Sequence, residues 1–264
     1  VVKKIFLDKD FHIDSTRFIA ANSINWARCM TQSVYFFWAY LKLREKDKDL
    51  IFSVPSGNFG HAYAGWTAKQ MGLPIKKLLI ATNSNDVLHK LFSENNYEKS
   101  SVDQTLAPSM DISVASNFER LLYNLHDNNP DVLSSIMAQF PEKSISIPKE
   151  KWDLVVKFFS SDRCSDQEIK EQIKSTYEES GYLLDPHTAT GVRASNNLES
   201  KDELVVTMAT AHPAKFGEAI DVAIPGHDLD IPKRLHIVFD KEESYEVLSE
   251  DYEEVKQFIL SNVN

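Results

Sequence analysis

The chain has 264 residues, 42% of them apolar, which is enough for one large domain or two modest ones. A formal net charge of −10 excludes the basic face that nucleic-acid binding requires, yet allows a local positive pocket for a small anion. Two distant cysteines, Cys29 and Cys164, exclude a disulfide framework and suggest no metal site, so a reducing cytoplasm is the expected setting.

The opening VVKKIFLDKDFH carries no signal-peptide pattern. A chain that starts at Val1 in a charged, helix-like segment is expected to be part of a longer polypeptide. Ser23 to Lys42 predicts a long, largely buried helix; its apolar run SVYFFWAYL is too short to span a bilayer, and no membrane contact is expected. Leu50 to Pro55 predicts a buried strand, Gly60 to Met71 a helix rich in small residues, and Lys77 to Thr82 a second buried strand. Asp86 to Phe92 and Ser116 to His126 predict helices, the second with Ser116 as a candidate N-cap. From Pro130 to Gly181 the charged runs predict a mostly helical excursion. Strand and helix return in YLLDPHTATGVRA and ELVVTMATAHPAKFGEAI, and ESYEVLSEDYEEVKQFILSN predicts a closing acidic helix. Alternating strands and helices point to an α/β fold in three layers, a mostly parallel sheet flanked by helices, with a helical insertion. The expected division is 1–129 and 182–264 as two parts of the α/β domain, with 130–181 as the insertion.

Four of the chain's eight glycines fall in IFSVPSGNFGHAYAGWTAKQMGLP, residues 51–74. A strand that runs into PSGNFG and then a helix aims main-chain N–H groups at one point, where the helix N-terminus favours an anion. Gly57 and Gly60 let the backbone turn and approach a ligand, and Ser56, Asn58 and His61 add candidate side-chain donors. A tight turn without a ligand explains the same glycines, because such junctions are weak signals alone. The spacing is neither GxGxxG nor GxxxxGK.

SVPSGNFGHAYAGWTAKQMGLPIKKLLIATNSND resembles the cofactor-phosphate loop of threonine synthases, in the branch with a long helical insertion. NSINWARCMTQSVYFFW, PSMDISVASNFERLLY, LLDPHTATGV and ATAHPAKF extend the resemblance in family order over most of the chain. It implies pyridoxal phosphate (PLP) as cofactor, the fold type II large domain of the tryptophan-synthase-β kind, and a carbon–oxygen lyase acting on phosphates. The implied reaction converts O-phospho-L-homoserine and water to L-threonine and phosphate. Gly57, Asn58, Phe59, Gly60 and His61 would then hold the cofactor phosphate through main-chain N–H groups, and Thr210 would set a neutral hydroxyl beside the pyridine nitrogen.

Asn22, Ser23, Asn25 and Arg28, polar groups at the front of an apolar helix, are candidate substrate contacts, since a guanidinium suits phosphate; Arg28 paired with an acid is the alternative. His212 and Lys215 are candidates for the substrate phosphate or for pocket shape. Asp185 is expected to cap the next helix, and His187 either to do likewise or to hold a loop near the cofactor. The family's Schiff-base lysine lies in a Phe-Lys-Asp context that does not occur here; Lys157 and Lys215 do not match it. That lysine is therefore expected on an N-terminal part of the same polypeptide, and the isolated chain is expected to be inactive. The alternatives are a threonine-synthase-like phospho-lyase that releases 2-oxobutyrate, and a non-catalytic phosphate-binding module.

Overall fold

The computed structural model of the protein describes residues 1, 4–5, 8, 11, 19, 21–44, 48–199, 202–239 and 241–262. The helix-like opening of the chain falls mostly outside the described residues. Two compact units are present: Asn22–Asp230, and Val1–Ala21 with Ile231–Asn264. The second unit contains helices Lys233–Phe239 and Tyr252–Asn262. Within it, Asp8 accepts from the Tyr252 hydroxyl and pairs with Lys256 at 3.2 Å, while the Lys256 ammonium lies 5.0 Å from the Phe11 ring centre.

The larger unit carries the sheet. Strands β1 (Leu50–Pro55), β2 (Ile75–Thr82), β3 (Phe159–Arg163) and β4 (Leu204–Thr207) lie in the order β3-β2-β1-β4, all parallel. Every residue of β1 is buried, as a central parallel strand covered on both faces requires. Helices α1 (Trp26–Leu43), α2 (Gly60–Gln70), α3 (Val87–Glu94) and α4 (Phe118–Leu125) come from the first half. Helices α5 (Pro130–Met137), α6 (Lys149–Phe158), α7 (Asp166–Ser180), α8 (Pro186–Asn197) and α9 (Gly217–Ala223) follow. The fold is α/β, with a parallel sheet flanked by helices.

Three local expectations differ from what is observed. The span 130–181 contains β3 between α6 and α7: Phe159 pairs with Leu78 and Arg163 with Thr82. Charged helical runs on either side mask these five residues in the sequence, and Phe159 anchors the strand in the core at 2% exposure. Helix α4 starts at Phe118, not Ser116, because the Ser116 hydroxyl turns to Asn58 Oδ1 at 3.3 Å. Helix α1 is only half buried. Cys29, Ser33, Phe36 and Ala39 face the core, while Val34 and Trp38 on the opposite side are 60% and 63% exposed.

Gly65 sets the approach of α2 to α1. A Cβ there would lie 2.8 Å from Phe36 Cε1 and 3.0 Å from Leu78 Cδ1, and Phe36 in turn packs edge-on to Phe52 at 5.0 Å between ring centres. Gly65→Leu is expected to lower the unfolding free energy by about 3 kcal/mol through overpacking. A urea titration showing an unchanged midpoint would refute this account of the α1–α2 contact.

Candidate functional site

Chain direction puts the site where β1 ends. The Ser56 amide still bonds the Ala81 carbonyl at 2.9 Å, and the backbone then leaves the sheet. Phe59 takes a left-handed conformation, φ 62°, and α2 begins at Gly60 with no side-chain cap. A left-handed aromatic residue is strained by roughly 1–2 kcal/mol. Full burial of the Phe59 ring offsets that strain, being worth about 2–3 kcal/mol. The ring sits 5.8 Å from Phe92, 6.1 Å from Phe118 and 6.0 Å from Phe159, centre to centre.

This turn has a chemical consequence. Among the described residues, no protein acceptor meets the main-chain N–H groups from Gly57 to Ala62; the first helical bond runs from the Tyr63 amide to the Phe59 carbonyl at 2.8 Å. Orphan amides at a helix start are a ready site for a tetrahedral anion. The side-chain oxygen of Ser56 and Nε2 of His61 are also buried without a partner.

The loop is closed from behind. A Cβ at Gly57 would lie 3.0 Å from Met110 Cα and 3.2 Å from the Ser109 carbonyl oxygen. The segment that carries Ser109 and Met110 is pinned by Asp111, whose carboxylate accepts from Asn83 at 2.7 Å, Asn85 at 2.9 Å and Thr105. Asn117, fully buried, donates from Nδ2 to the carbonyls of Ser23 at 2.9 Å and Asn58 at 3.1 Å. Its Oδ1 accepts from Arg120 Nε at 3.0 Å and from the Cys29 thiol at 3.4 Å. One amide thus joins the loop, the start of α1 and α4.

These elements surround a cavity of about 680 Å³. Of the residues expected at the site, Asn22, Ser23, Arg28, Gly57, Asn58, Phe59, Gly60, His61, Thr210 and Lys215 line it. Asn25 and His212 do not. Asn25 caps α1, accepting from the Ala27 amide at 2.9 Å, and His212 Nδ1 accepts from the Ala214 amide at 3.1 Å in a short 3-10 turn. Both side chains are drawn onto the backbone that starts their own helix. Thr210 lies three residues beyond the end of β4, held by its amide to Thr188 Oγ1 at 3.1 Å.

Sequence reasoning missed Thr31, Gln32 and Tyr35 of α1 and Ser109 of the loop, which also line the cavity. Their spacing on α1, one turn beyond Arg28, was the available signal. Asp185 caps α8, taking the amides of His187 at 2.9 Å and Thr188 at 3.3 Å. The His187 ring bonds Asp185 Oδ1 through Nδ1 at 3.0 Å and accepts the Ser109 amide at Nε2 at 3.1 Å. That arrangement places the imidazole proton on Nδ1 and lets the ring hold the Ser109 loop.

Among the described lining residues there are two formal cations, Arg28 and Lys215, and no carboxylate. Burial pushes His61 down from 6.5 to about 4, so its imidazole is neutral at pH 7. The cavity is therefore electropositive within an acidic protein.

The sheet, the glycine turn and the basic cavity at the strand ends define the large-domain fold of fold type II PLP enzymes. Residues 188–259 match the family model described as the C-terminal part of threonine synthase. The chain is 43% identical to the threonine synthase of Pseudomonas aeruginosa over 266 residues, covering 100% of this chain and 56% of the relative. It is 42% identical to the threonine synthase of Saccharomyces cerevisiae, over 86% of this chain and 48% of that one. The crystal structure of PLP-bound threonine synthase from Brucella melitensis superposes with a TM-score of 0.87 at 39% identity, over 98% of this chain and 55% of that one. The chain is similar to these threonine synthases over 86% to 100% of its length, and it spans about half the length of the curated relatives it matches.

Phe59→Ala is expected to cost roughly 3–5 kcal/mol in urea unfolding, more than loss of a surface ring would; a cost under about 1 kcal/mol would mean the ring does not hold the turn. His61 makes a second expectation. Its pKa is lower folded than unfolded, so its contribution is complete above 6.5 and is lost as pH falls toward about 4. Between those values the loss amounts to up to about 3 kcal/mol, and the His61→Phe variant should show a correspondingly flatter stability–pH curve. Parallel curves for the two proteins would contradict the buried neutral imidazole.

Proposed function

We infer that this chain forms the cofactor-phosphate and pyridine-side part of a threonine synthase, acting on O-phospho-L-homoserine. The observation that carries the reading is the set of amides from Gly57 to Ala62, which have no protein acceptor among the described residues, in a loop whose residues 57–61 line a cavity with no carboxylate among its described lining residues. The phosphate of PLP suits these donors. They supply hydrogen bonds and the helix-terminal field, and no positive side chain in the loop is needed. The orphaned Ser56 hydroxyl, beside the same turn, is a further donor for an anionic oxygen.

PLP, when bound, supplies an electron sink for the charge left as substrate C–H bonds break. The remaining work falls to this chain's residues. Thr210, on the cavity wall beyond β4, would offer a neutral hydroxyl rather than a carboxylate to the pyridine nitrogen of a bound PLP. Arg28 and Lys215 contribute positive charge on the cavity wall for the substrate phosphate, and Asn22 and Ser23 contribute polar groups from the lead-in to α1. His187 and Asp185 act through the Ser109 loop, keeping the rear of the cradle in place. Two free, buried thiols suit a cytoplasmic setting.

Gly57→Asp tests the cradle directly. The new side chain meets Met110 Cα and the Ser109 carbonyl behind the loop, forcing the turn to shift, and adds negative charge to a site built for an anion. Equilibrium dialysis of PLP against the chain should show affinity reduced at least about tenfold, equivalent to 1.4 kcal/mol. Unchanged affinity in a folded variant would overturn the assignment of the loop.

A further inference from the structure

Helix α1 carries two apolar faces, with a polar arc of Arg28, Thr31 and Gln32 between them: WARCMTQSVYFFWAYLKL. A helix of that kind is buried on more than one face in its working state. One face meets the core through Cys29, Phe36 and Ala39. On the other, Met30, Val34, Trp38 and Leu41 recur at three- and four-residue spacing and are 48%, 60%, 63% and 55% exposed. A stripe holding Trp and Met beside aliphatic residues has the composition of an interface core. Scattered exposed apolar residues need no explanation, but a continuous stripe along an 18-residue helix does.

Two observations identify what covers it. The whole of this chain matches the Pseudomonas aeruginosa relative yet covers only 56% of that protein, so that relative carries a large further segment. The stripe is also continuous with the cavity wall: Arg28, Thr31, Gln32 and Tyr35 line the cavity from the adjacent arc of the same helix, and Tyr35 is itself 56% exposed. A body seated on the stripe therefore borders the cavity mouth.

We propose that the Met30–Val34–Trp38–Leu41 face of α1 is the docking surface for the segment of threonine synthase that relatives possess and this chain does not match. The identity of the occupant rests on the functional reading above; the existence of the face does not.

The test uses a single polypeptide that joins the unmatched segment of the Pseudomonas aeruginosa enzyme to this chain, alongside this chain alone. Val34→Cys is introduced in both, and labelling by a maleimide is timed; native Cys29 and Cys164 are 1% and 2% exposed and react slowly. The introduced thiol should label at least roughly tenfold more slowly in the joined polypeptide than in the isolated chain. Equal rates would overturn the proposal. Sedimentation of the isolated chain decides the other occupant: self-association that Val34→Glu with Trp38→Glu abolishes would assign the face to a second copy and overturn the proposal as well. Assaying the joined polypeptide for threonine formation from O-phospho-L-homoserine separates the two readings. Protection of the thiol without threonine keeps the docking face and removes the function; threonine with a freely labelled thiol does the reverse.

Discussion

The Phe59 ring is the constraint on which the site depends. A chain leaving a parallel strand for a helix has to turn within four residues here, from Ser56 to Phe59, and the last of them adopts a backbone conformation that side chains disfavour. Glycine at that position would remove the strain but also the anchor. Phenylalanine fixes the turn because its ring is fully enclosed by Phe92, Phe118 and Phe159, side chains from α3, α4 and β3. Three elements thus position one peptide group, and the amides around it are left without protein acceptors among the described residues. The aromatic cluster is core packing by composition, yet its effect on function is direct.

The second requirement is electrostatic. Amide dipoles hold an anion well only where carboxylates are kept away, and this chain has 39 acidic residues against 29 basic ones. Two acids that hold segments bordering the cavity are already engaged. Asp185 is taken up by two amides, the Thr188 hydroxyl and the His187 ring, and Asp111 by Asn83, Asn85 and Thr105. Each carboxylate is consumed in fixing a loop that borders the cavity, so its charge is spread over local donors. His61, neutral by burial, adds no cation either, leaving Arg28 and Lys215 as the lining charges among the described residues.

Much of this was legible in PSGNFG, because the turn, the glycines and the helix start are neighbours in sequence and their chemistry is local. Side chains at helix starts were harder to assign. Asn25 and Arg28 look alike as polar leads into an apolar helix, but Asn25 stands just before the first helical residue and is captured by the backbone, whereas Arg28 is on the helix and reaches the cavity wall. His212 is drawn onto the backbone in the same way, through the Ala214 amide. Asn117 left no signal at all: its importance comes from Ser23, Cys29 and Asn58, residues 59 to 94 positions away. Strand β3 was hidden because five residues between two charged helices carry no periodicity of their own, and only β2 supplies their partner.

Helix α1 shows why burial was misjudged from pattern alone. Apolar periodicity reports that a face avoids water; it does not report which body covers that face. On α1 the polar arc of Arg28, Thr31 and Gln32 separates the core side from the exposed stripe, and the cavity opens along that arc. A helix built this way puts its polar residues at the seam between two packed surfaces. A body docked on the stripe would then border the cavity beside Tyr35. The amide cradle lies within this chain, while the proposed docking segment would border the same cavity, and the division falls along one helix.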